Sequence, residues 1–160
     1  MKNILFLCTG NYYRSRYAEE LFNNLASKLN LTWVADSRGL YPNVKILNNP
    51  GAISINTVKR IHKLGFKIKN GDRLPKSLED KELERFNICI ALDETEHKPY
   101  VEEYFPKLKE KVIYWDVRDI DFELPDRALR RIEEHVIKLI HQIEPNLTSF
   151  NLKDIQEKLH

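Results

Sequence analysis

Near its start the sequence contains the segment Asn3-Ile-Leu-Phe-Leu-Cys8-Thr-Gly-Asn-Tyr-Tyr-Arg14-Ser15, which indicates the class of fold. Its first part, from Asn3 to Cys8, is continuously apolar after Asn3, which is typical of a strand buried on both faces of a parallel sheet. Beyond Ser15, apolar residues recur at helical spacing from Tyr17 to Leu29. A buried strand, a short loop and an amphipathic helix follow one another directly, and this succession is typical of α/β folds.

The same alternation of strand and helix continues along the chain. Further strands are predicted at Leu31–Ala35, Arg85–Leu92 and Lys111–Trp115. Helices are predicted at residues 54–64 and 94–104 and along a late apolar stripe of Leu129, Ile132, Val136, Leu139 and Ile143. We therefore predict a single α/β domain over residues 1–145, with a four-stranded parallel sheet and helices on both faces. A C-terminal tail of unknown role follows, at residues 146–160.

The amino-acid composition and net charge exclude several classes of protein. The 160 residues are 42% hydrophobic and 31% charged, as in globular proteins, and the net charge is only +2. Such a small charge predicts neither a nucleic-acid nor a membrane partner. Two cysteines, Cys8 and Cys89, are too few for a disulfide scaffold or a Cys-rich zinc module. The apolar run Ile4–Leu7 is too short for a signal peptide or a membrane span, so we expect a cytoplasmic protein.

The loop after the first strand has the properties of an anion site. Ligands of parallel sheets bind beyond the carboxyl ends of the strands, and this loop leads straight into a helix N-terminus. The predicted phosphate-binding residues are Thr9, Gly10, Asn11, Tyr12, Tyr13, Arg14 and Ser15. Arg14 adds a planar fork of donors that matches two phosphate oxygens. The positive field favours the thiolate of Cys8, which makes Cys8 a candidate nucleophile.

Residues Ile4-Leu-Phe-Leu-Cys-Thr-Gly-Asn-x-x-Arg-Ser resemble the active-site signature of the low-molecular-weight protein tyrosine phosphatases. The resemblance recurs at Ala18-Glu-Glu, Asp36-Ser37, Leu92-Asp93 with His97, and Trp115-Asp-Val-Arg-Asp119. It implies a cysteine-dependent phosphomonoester hydrolase without metal or cofactor, acting on a phosphotyrosine protein or a small aryl phosphate. The oligomeric state stays unknown, with a monomer favoured.

The resemblance also implies roles for single residues. Cys8 is similar to the nucleophile, Arg14 to the phosphate clamp and Ser15 to the hydroxyl that steadies the thiolate. Asn11 resembles the residue that holds the loop in a left-handed turn, with Ser37 as its partner. Asparagine tolerates that conformation better than most residues, which is an independent physical reason for its presence.

The sequence departs from the family pattern at three positions. Arg16 and Ile120 stand where the family commonly has proline, so the loop around Ile120 is expected to be less rigid. Tyr13 stands where some members carry a second loop cysteine, which would remove that redox device. His97 is expected to be a surface or structural residue.

A phosphotyrosine phosphatase needs a proton donor for the leaving phenolate oxygen. Asp119 is the preferred candidate because Trp-Asp-Val-x-Asp best matches the acid loop of the family, and Asp116 and Asp121 remain alternatives. Asp126, directly after Pro125, suits the start of a helix. The expected aromatic walls of the substrate pocket are Tyr12, Tyr41 and Trp115.

Three other functions compete with hydrolysis. A thiol-coupled arsenate reductase would need two further cysteines, whereas only Cys89 is present and it lies in an apolar run. A phosphocysteine carrier would not need both Arg14 and an acid loop. A nucleic-acid binder would use the basic residues Lys59, Arg60, Lys63, Lys67, Lys69 and Arg73.

Overall fold

The computed structural model describes residues 1–157. Its four strands are β1 (Lys2–Cys8), β2 (Trp33–Gly39), β3 (Ile88–Ala91) and β4 (Val112–Tyr114). Its five α-helices are α1 (Arg14–Lys28), α2 (Ile55–Lys63), α3 (Glu94–Tyr104), α4 (Pro125–Ile143) and α5 (Leu152–Glu157). Short 3₁₀ helices lie at Val44–Leu47, Asp80–Arg85 and Pro106–Leu108. Within residues 1–157, none of the helices combines the length and the apolar character that a membrane span requires.

The strands form one parallel sheet in the order β2-β1-β3-β4. The chain leaves β1 toward β2 on one side and later returns to β3 on the other side. The topological switch point therefore lies between the carboxyl ends of β1 and β3, where ligands of such sheets bind. Both strands deliver their following loops, after Cys8 and after Ala91, to this edge.

Alternate residues of the strands enter two separate cores, which confirms the predicted helices on both faces. Ile4, Phe6 and Cys8 of β1 pack with α1 and α4 on one face. Leu5 and Leu7 pack on the other face with apolar residues of α3. Because Ile4–Cys8 of β1 are buried on both sides of the sheet, this part of the strand is apolar without interruption.

Two strand boundaries differ from the prediction by three residues or more. The second strand runs to Gly39, beyond the predicted end at Ala35, because its polar residues are buried with partners. Within this extension, Arg38 donates to both carboxylate oxygens of Glu82. The third strand begins at Ile88, later than the predicted Arg85, because residues 80–85 form a 3₁₀ helix. A hydrophobicity pattern detects neither the satisfied polar strand end nor this short helix.

Residues 146–155 pack onto the domain. Ile155 of α5 is buried in the same core as β1, and Leu147, Phe150 and Leu152 pack against that core. The ring of Phe150 stacks on His141 of α4 with centroids 5.0 Å apart. This segment therefore shares the hydrophobic core of residues 1–145.

Candidate active site

The loop between β1 and α1 turns through Asn11, which adopts the predicted left-handed conformation with φ of 52°. The amide nitrogen of Asn11 donates to Ser15 Oγ (3.1 Å) and to Ser37 Oγ (2.8 Å). Its amide oxygen accepts from Arg73 Nη1 and from the backbone N–H of Lys76, both at 3.0 Å. All four hydrogen-bonding positions of the side chain are used, so the turn is held from both sides.

The backbone of the loop is oriented for an anion. The carbonyl groups of Thr9, Tyr12 and Tyr13 accept hydrogen bonds from the surrounding protein. Within residues 1–157, the backbone N–H groups of residues 9–13 donate to no other protein group. Outward carbonyls leave the N–H groups facing the centre of the loop, where they can cradle phosphate oxygens.

Cys8 lies at the base of this cradle, with its Sγ 2.9 Å from Ser15 Oγ. Ser15 Oγ already accepts a hydrogen bond from Asn11, so its own proton is available to the sulfur. A hydroxyl that donates to sulfur stabilises the thiolate over the thiol. The predicted contact between the candidate nucleophile and Ser15 is present in the structure.

Arg14 begins α1 and is only 2% exposed. Its Nη1 donates to the carbonyl oxygen of Val117 (2.8 Å) and its Nη2 to Glu96 Oε2 (2.6 Å). Burial opposes the charge of the guanidinium, but Cys8 and Glu96 outweigh burial and raise the pKa of Arg14. Nε donates no hydrogen bond within the described residues and has an ionic contact with Asp119 Oδ1 at 3.8 Å, so this side of the guanidinium can still accept a phosphate oxygen as partner.

Glu96, on the first turn of α3, is a further residue of the site that the sequence pattern does not indicate. Its Oε2 accepts from Thr9 Oγ1 (2.5 Å) and Arg14 Nη2, and it lies 3.0 Å from His97 Nε2. His97 is fully buried, so it is not a surface residue, and its Nδ1 accepts from the N–H of Asp93. An acidic residue at a helix start is usually explained by its favourable interaction with the helix dipole, so Glu96 carries no distinctive local signal. Its position at the switch point was the available signal.

The three candidate acids all lie in the loop after β4, but their surroundings differ. Asp119, which is 37% exposed, and Asp121 line the same pocket as Cys8. Asp116 lies outside that pocket, where it pairs with Arg131 and accepts a hydrogen bond from His135 (2.8 Å). The hydrogen bonds from Arg131 hold the pKa of Asp116 well below its usual range. A carboxyl that stays ionised cannot supply a proton, so this arrangement disfavours Asp116 as the acid.

The pocket around Cys8 has a volume of about 520 Å³. Tyr12 lines it as predicted, with its hydroxyl donating to the carbonyl oxygen of Pro50 (2.5 Å). Tyr13 also lines it, and burial raises the pKa of its hydroxyl to about 12. Sequence patterns did not identify the remaining walls, which come from loop 38–53, the start of α2 and the loop after β4: Leu47, Asn49, Pro50, Ser54, Ile55, Asn56 and Ile120.

Two predicted pocket walls lie elsewhere. Trp115 is buried in the core beneath the sheet edge, with its ring 5.6 Å from Phe6 and stacked on His135 at 4.8 Å. Tyr41 turns away from the pocket and makes an edge contact with Tyr100 at 6.3 Å. Because each residue follows a strand, both lie near the edge of the sheet where the site forms. Their position in the sequence does not determine where their rings point.

A buried polar network supports the loop from α1 and β2. Ser37 Oγ, the predicted partner of Asn11, donates to Glu19 Oε1 (2.5 Å). The same carboxylate oxygen binds Arg16 Nη1 (2.9 Å) and Arg73 Nη2 (3.1 Å). Arg16 is fully buried where proline is common in the family, and its ion pairs with Glu19 (2.9 Å) and Glu20 (3.9 Å) explain how its charge is accommodated.

This network also weakens the nucleic-acid alternative. Arg73, one of the six basic residues in that hypothesis, donates to Asn11 and Glu19. Arg60, another of them, binds both oxygens of Glu133 at 2.8 and 3.0 Å. Both guanidinium groups are committed to internal partners and are only 12% exposed. Among residues 1–157, no group of three or more His, Cys, Asp or Glu side chains is arranged to hold a metal ion.

Solved structures resemble the fold over nearly its whole length. YfkJ from Bacillus subtilis shares 22% identity and a TM-score of 0.77, covering 92% of this chain and 98% of its own. The low molecular weight protein tyrosine phosphatase from T. tengcongensis shares 25% identity and a TM-score of 0.68, with coverages of 92% and 100%. The YwlE arginine phosphatase, known from Bacillus subtilis, shares 20% identity and a TM-score of 0.73, with coverages of 90% and 97%.

No curated protein matches the chain. The sequence model of the low molecular weight phosphotyrosine protein phosphatases, in contrast, matches residues 3–160. The match includes the loop with Cys8 and Arg14 and extends through the segment beyond residue 145. The chain therefore belongs to the low molecular weight phosphotyrosine protein phosphatase family.

Proposed function

We propose that the chain is a protein tyrosine phosphatase that hydrolyses phosphotyrosine through a phosphocysteine at Cys8. Membership of the family supports a cysteine-based phosphatase. The observation that carries the finer proposal is that Cys8, Arg14 and Asp119 line one pocket. These three residues supply a nucleophile, an oxyanion clamp and a proton donor, which are the groups that the reaction requires.

In the first step the thiolate of Cys8 attacks phosphorus and forms an S–P bond while the bond to the ester oxygen breaks. The free N–H groups of residues 9–13 and Nε of Arg14 stabilise the equatorial oxygens. Asp119 donates its proton to the leaving oxygen. The alcohol or phenol departs neutral, and Asp119 is left as a carboxylate.

In the second step water attacks the phosphorus of phosphocysteine. Asp119 now accepts a proton from that water, and the S–P bond breaks. The Ser15 hydroxyl, 2.9 Å from Sγ, stabilises the departing thiolate. Inorganic phosphate leaves, and both Cys8 and Asp119 return to their starting protonation states.

The walls of the pocket favour an aryl phosphate. Leu47, Ile55 and Ile120 are apolar, and Tyr12 adds an aromatic ring, so the entrance can contact a flat, largely apolar group. A phosphotyrosine side chain has that character, whereas phosphoserine offers no comparable surface. We expect the substrate to be a phosphotyrosine protein or a small aryl phosphate, acted on in the cytoplasm by a monomer.

A phosphoarginine substrate is the second candidate. Two carboxylates, Asp119 and Asp121, line the pocket, and a guanidinium group is the natural partner of carboxylates. One structural relative is an arginine phosphatase. The two candidates differ in the group beyond the phosphorus, so direct comparison of the two substrates distinguishes them.

The other competing functions have less support. Cys89 lies in the core on the opposite face of the sheet from Cys8, so it is poorly placed for the thiol relay of an arsenate reductase. A phosphocysteine carrier must protect its phosphoryl group from water. Asp119 is 37% exposed beside the pocket, which favours turnover over storage.

The test is hydrolysis of a phosphotyrosine peptide beside phosphoserine and phosphoarginine peptides, with a chelator present. We expect phosphotyrosine to be cleaved most efficiently and Cys8→Ser to abolish turnover while retaining phosphate binding. Faster cleavage of phosphoarginine would select the second candidate. If Cys8→Ser kept a tenth of the wild-type turnover, the covalent mechanism would be wrong.

A further inference from the structure

Glu96 places a carboxylate directly beside the phosphate clamp. Its Oε2 binds the Arg14 guanidinium at 2.6 Å and the Thr9 hydroxyl at 2.5 Å. Thr9 and Arg14 stand near the two ends of the phosphate-binding loop, so one oxygen joins both ends. A negative group is unexpected here, because the loop has to bind an anion.

The contacts of Arg14 define what Glu96 does to its orientation. Val117 accepts from Nη1 and Glu96 accepts from Nη2, so two of the three guanidinium nitrogens are held by the protein. The third, Nε, lies 3.8 Å from Asp119 Oδ1, and Arg14 and Asp119 both line the pocket. Glu96 thus restricts the rotation of a side chain that would otherwise have several rotamers.

Glu96 is ionised in this position. Burial opposes the charge, but contacts with His97 and Arg14 outweigh burial and hold the pKa of Glu96 well below its usual range. Burial lowers the pKa of His97, so the imidazole is neutral and does not cancel the carboxylate. The Arg14 guanidinium therefore interacts both with the Glu96 carboxylate and with any phosphate bound in the loop.

We propose that Glu96 is a positioning residue that orients Arg14 and Thr9, and that its negative charge weakens the binding of phosphate to the pocket. The inference rests on the proposed function, because both effects concern the phosphate site. A lower affinity for inorganic phosphate speeds product release. The fixed orientation of the guanidinium keeps it aligned with the phosphoryl group in the transition state.

Two substitutions separate the charge from the geometry. Glu96→Gln removes the charge and keeps the length, and its oxygen can occupy the Oε2 position, which makes all the described contacts. Glu96→Asp keeps the charge and shortens the arm. The matched control is Glu94→Gln on the same turn of α3, where the side chain is exposed and lies 4.0 Å from Lys98.

The readout is the affinity of each folded variant for inorganic phosphate, measured by calorimetry. We expect Glu96→Gln to bind at least roughly threefold more tightly than the wild type, since one repulsive charge is removed. Glu96→Asp should bind at least roughly threefold more weakly, because the repulsion remains and the orientation is lost. Glu94→Gln should match the wild type. On an aryl phosphate, Glu96→Asp should lower kcat and not only raise KM.

Unchanged or weaker phosphate binding by Glu96→Gln would overturn the role of the charge, and unchanged binding by Glu96→Asp would overturn the positioning role. If Glu96→Gln does not fold, Glu96→Ala replaces it, and this variant should bind phosphate more tightly than Glu96→Asp. Phosphate binding requires no turnover. An inactive wild type that still shows this order of affinities would refute the proposed phosphatase and leave the inference intact.

Discussion

Asp119 Oδ1 lies 3.8 Å from Nε of Arg14, so the candidate acid stands next to the free side of the phosphate clamp. A phosphate held by that nitrogen would present its ester oxygen close to the Asp119 carboxyl. Asp121 lines the same pocket, whereas Asp116 is engaged by Arg131 outside it. The relationship between Asp119 and Arg14 thus makes a specific kinetic prediction.

Asp119→Asn should slow phosphotyrosine hydrolysis by roughly 10²–10⁴. A phenol with a pKa of about 10 needs protonation as it leaves, whereas nitrophenol is a much better leaving group. Nitrophenyl phosphate cleavage should therefore fall less, unless hydrolysis of the phosphocysteine limits turnover. Rapid-quench measurement of the first step with both substrates checks this. Asp116→Asn and Asp121→Asn are the controls, and if Asp121→Asn showed the pattern instead, the role would belong to Asp121.

Gly39, the last residue of β2, keeps the phosphate loop close to the sheet. A Cβ at this position would lie 2.8 Å from the carbonyl oxygen of Thr9 and 2.5 Å from Val44 Cγ1. Gly39→Ala should displace the loop and lower kcat/KM by roughly tenfold or more, because small misplacements of catalytic groups are costly. Gly71→Ala is the matched control, since its nearest neighbour is the side chain of Ile68 at 3.1 Å. Equal activity of both variants would show that the loop tolerates the contact.

The core of the site could be predicted from the sequence because it is contiguous. Cys8, Asn11 and Ser15 lie within one strand–loop–helix unit, so local spacing already brings them together. The strands and long helices could likewise be predicted, since burial of one face imposes a periodic pattern of apolar residues on the sequence. The predicted strand–helix order and the parallel sheet are both confirmed.

The rest of the site depends on distant segments, and a linear pattern does not specify how side chains meet. Glu96 and Arg73 reach the loop from segments that are 82 and 62 residues away from their partners. Trp115 and Tyr41 follow strands, as site residues do, but their rings turn into neighbouring packing. Such orientations are set by tertiary contacts and have no local signature.

The two cysteines should respond differently to peroxide. Cys8 faces the pocket, whereas burial raises the pKa of the Cys89 thiol and makes it unreactive. The residues belong to cores on opposite faces of the sheet, so a disulfide between them would require unfolding. Peroxide should oxidise Cys8 to sulfenic and then irreversible acids, as followed by peptide mass spectrometry. Peroxide should inactivate the Cys89→Ala variant at the same rate as the wild type. A Cys8–Cys89 disulfide after mild oxidation would contradict the prediction.

Glu133 on α4 is the buried junction between three helices. Its Oε2 accepts from Tyr17 of α1 (2.5 Å), and both of its oxygens bind Arg60 of α2. The Glu133 side chain is only 7% exposed, so its removal leaves a largely buried guanidinium without its main partner. Glu133→Ala should lower the free energy of unfolding by about 3–5 kcal/mol, as is typical when one member of a buried ion pair is lost. Tyr17→Phe should cost less, about 1.5–3 kcal/mol, because only one hydrogen bond to a charged group disappears.

Urea unfolding followed by tryptophan fluorescence measures the loss of stability in both variants. Glu134→Ala, on the exposed side of the same helix, should leave the stability within about 0.5 kcal/mol of the wild type. A loss below about 1 kcal/mol for Glu133→Ala would mean that water replaces the carboxylate at Arg60 and that the three helices are held by apolar packing alone.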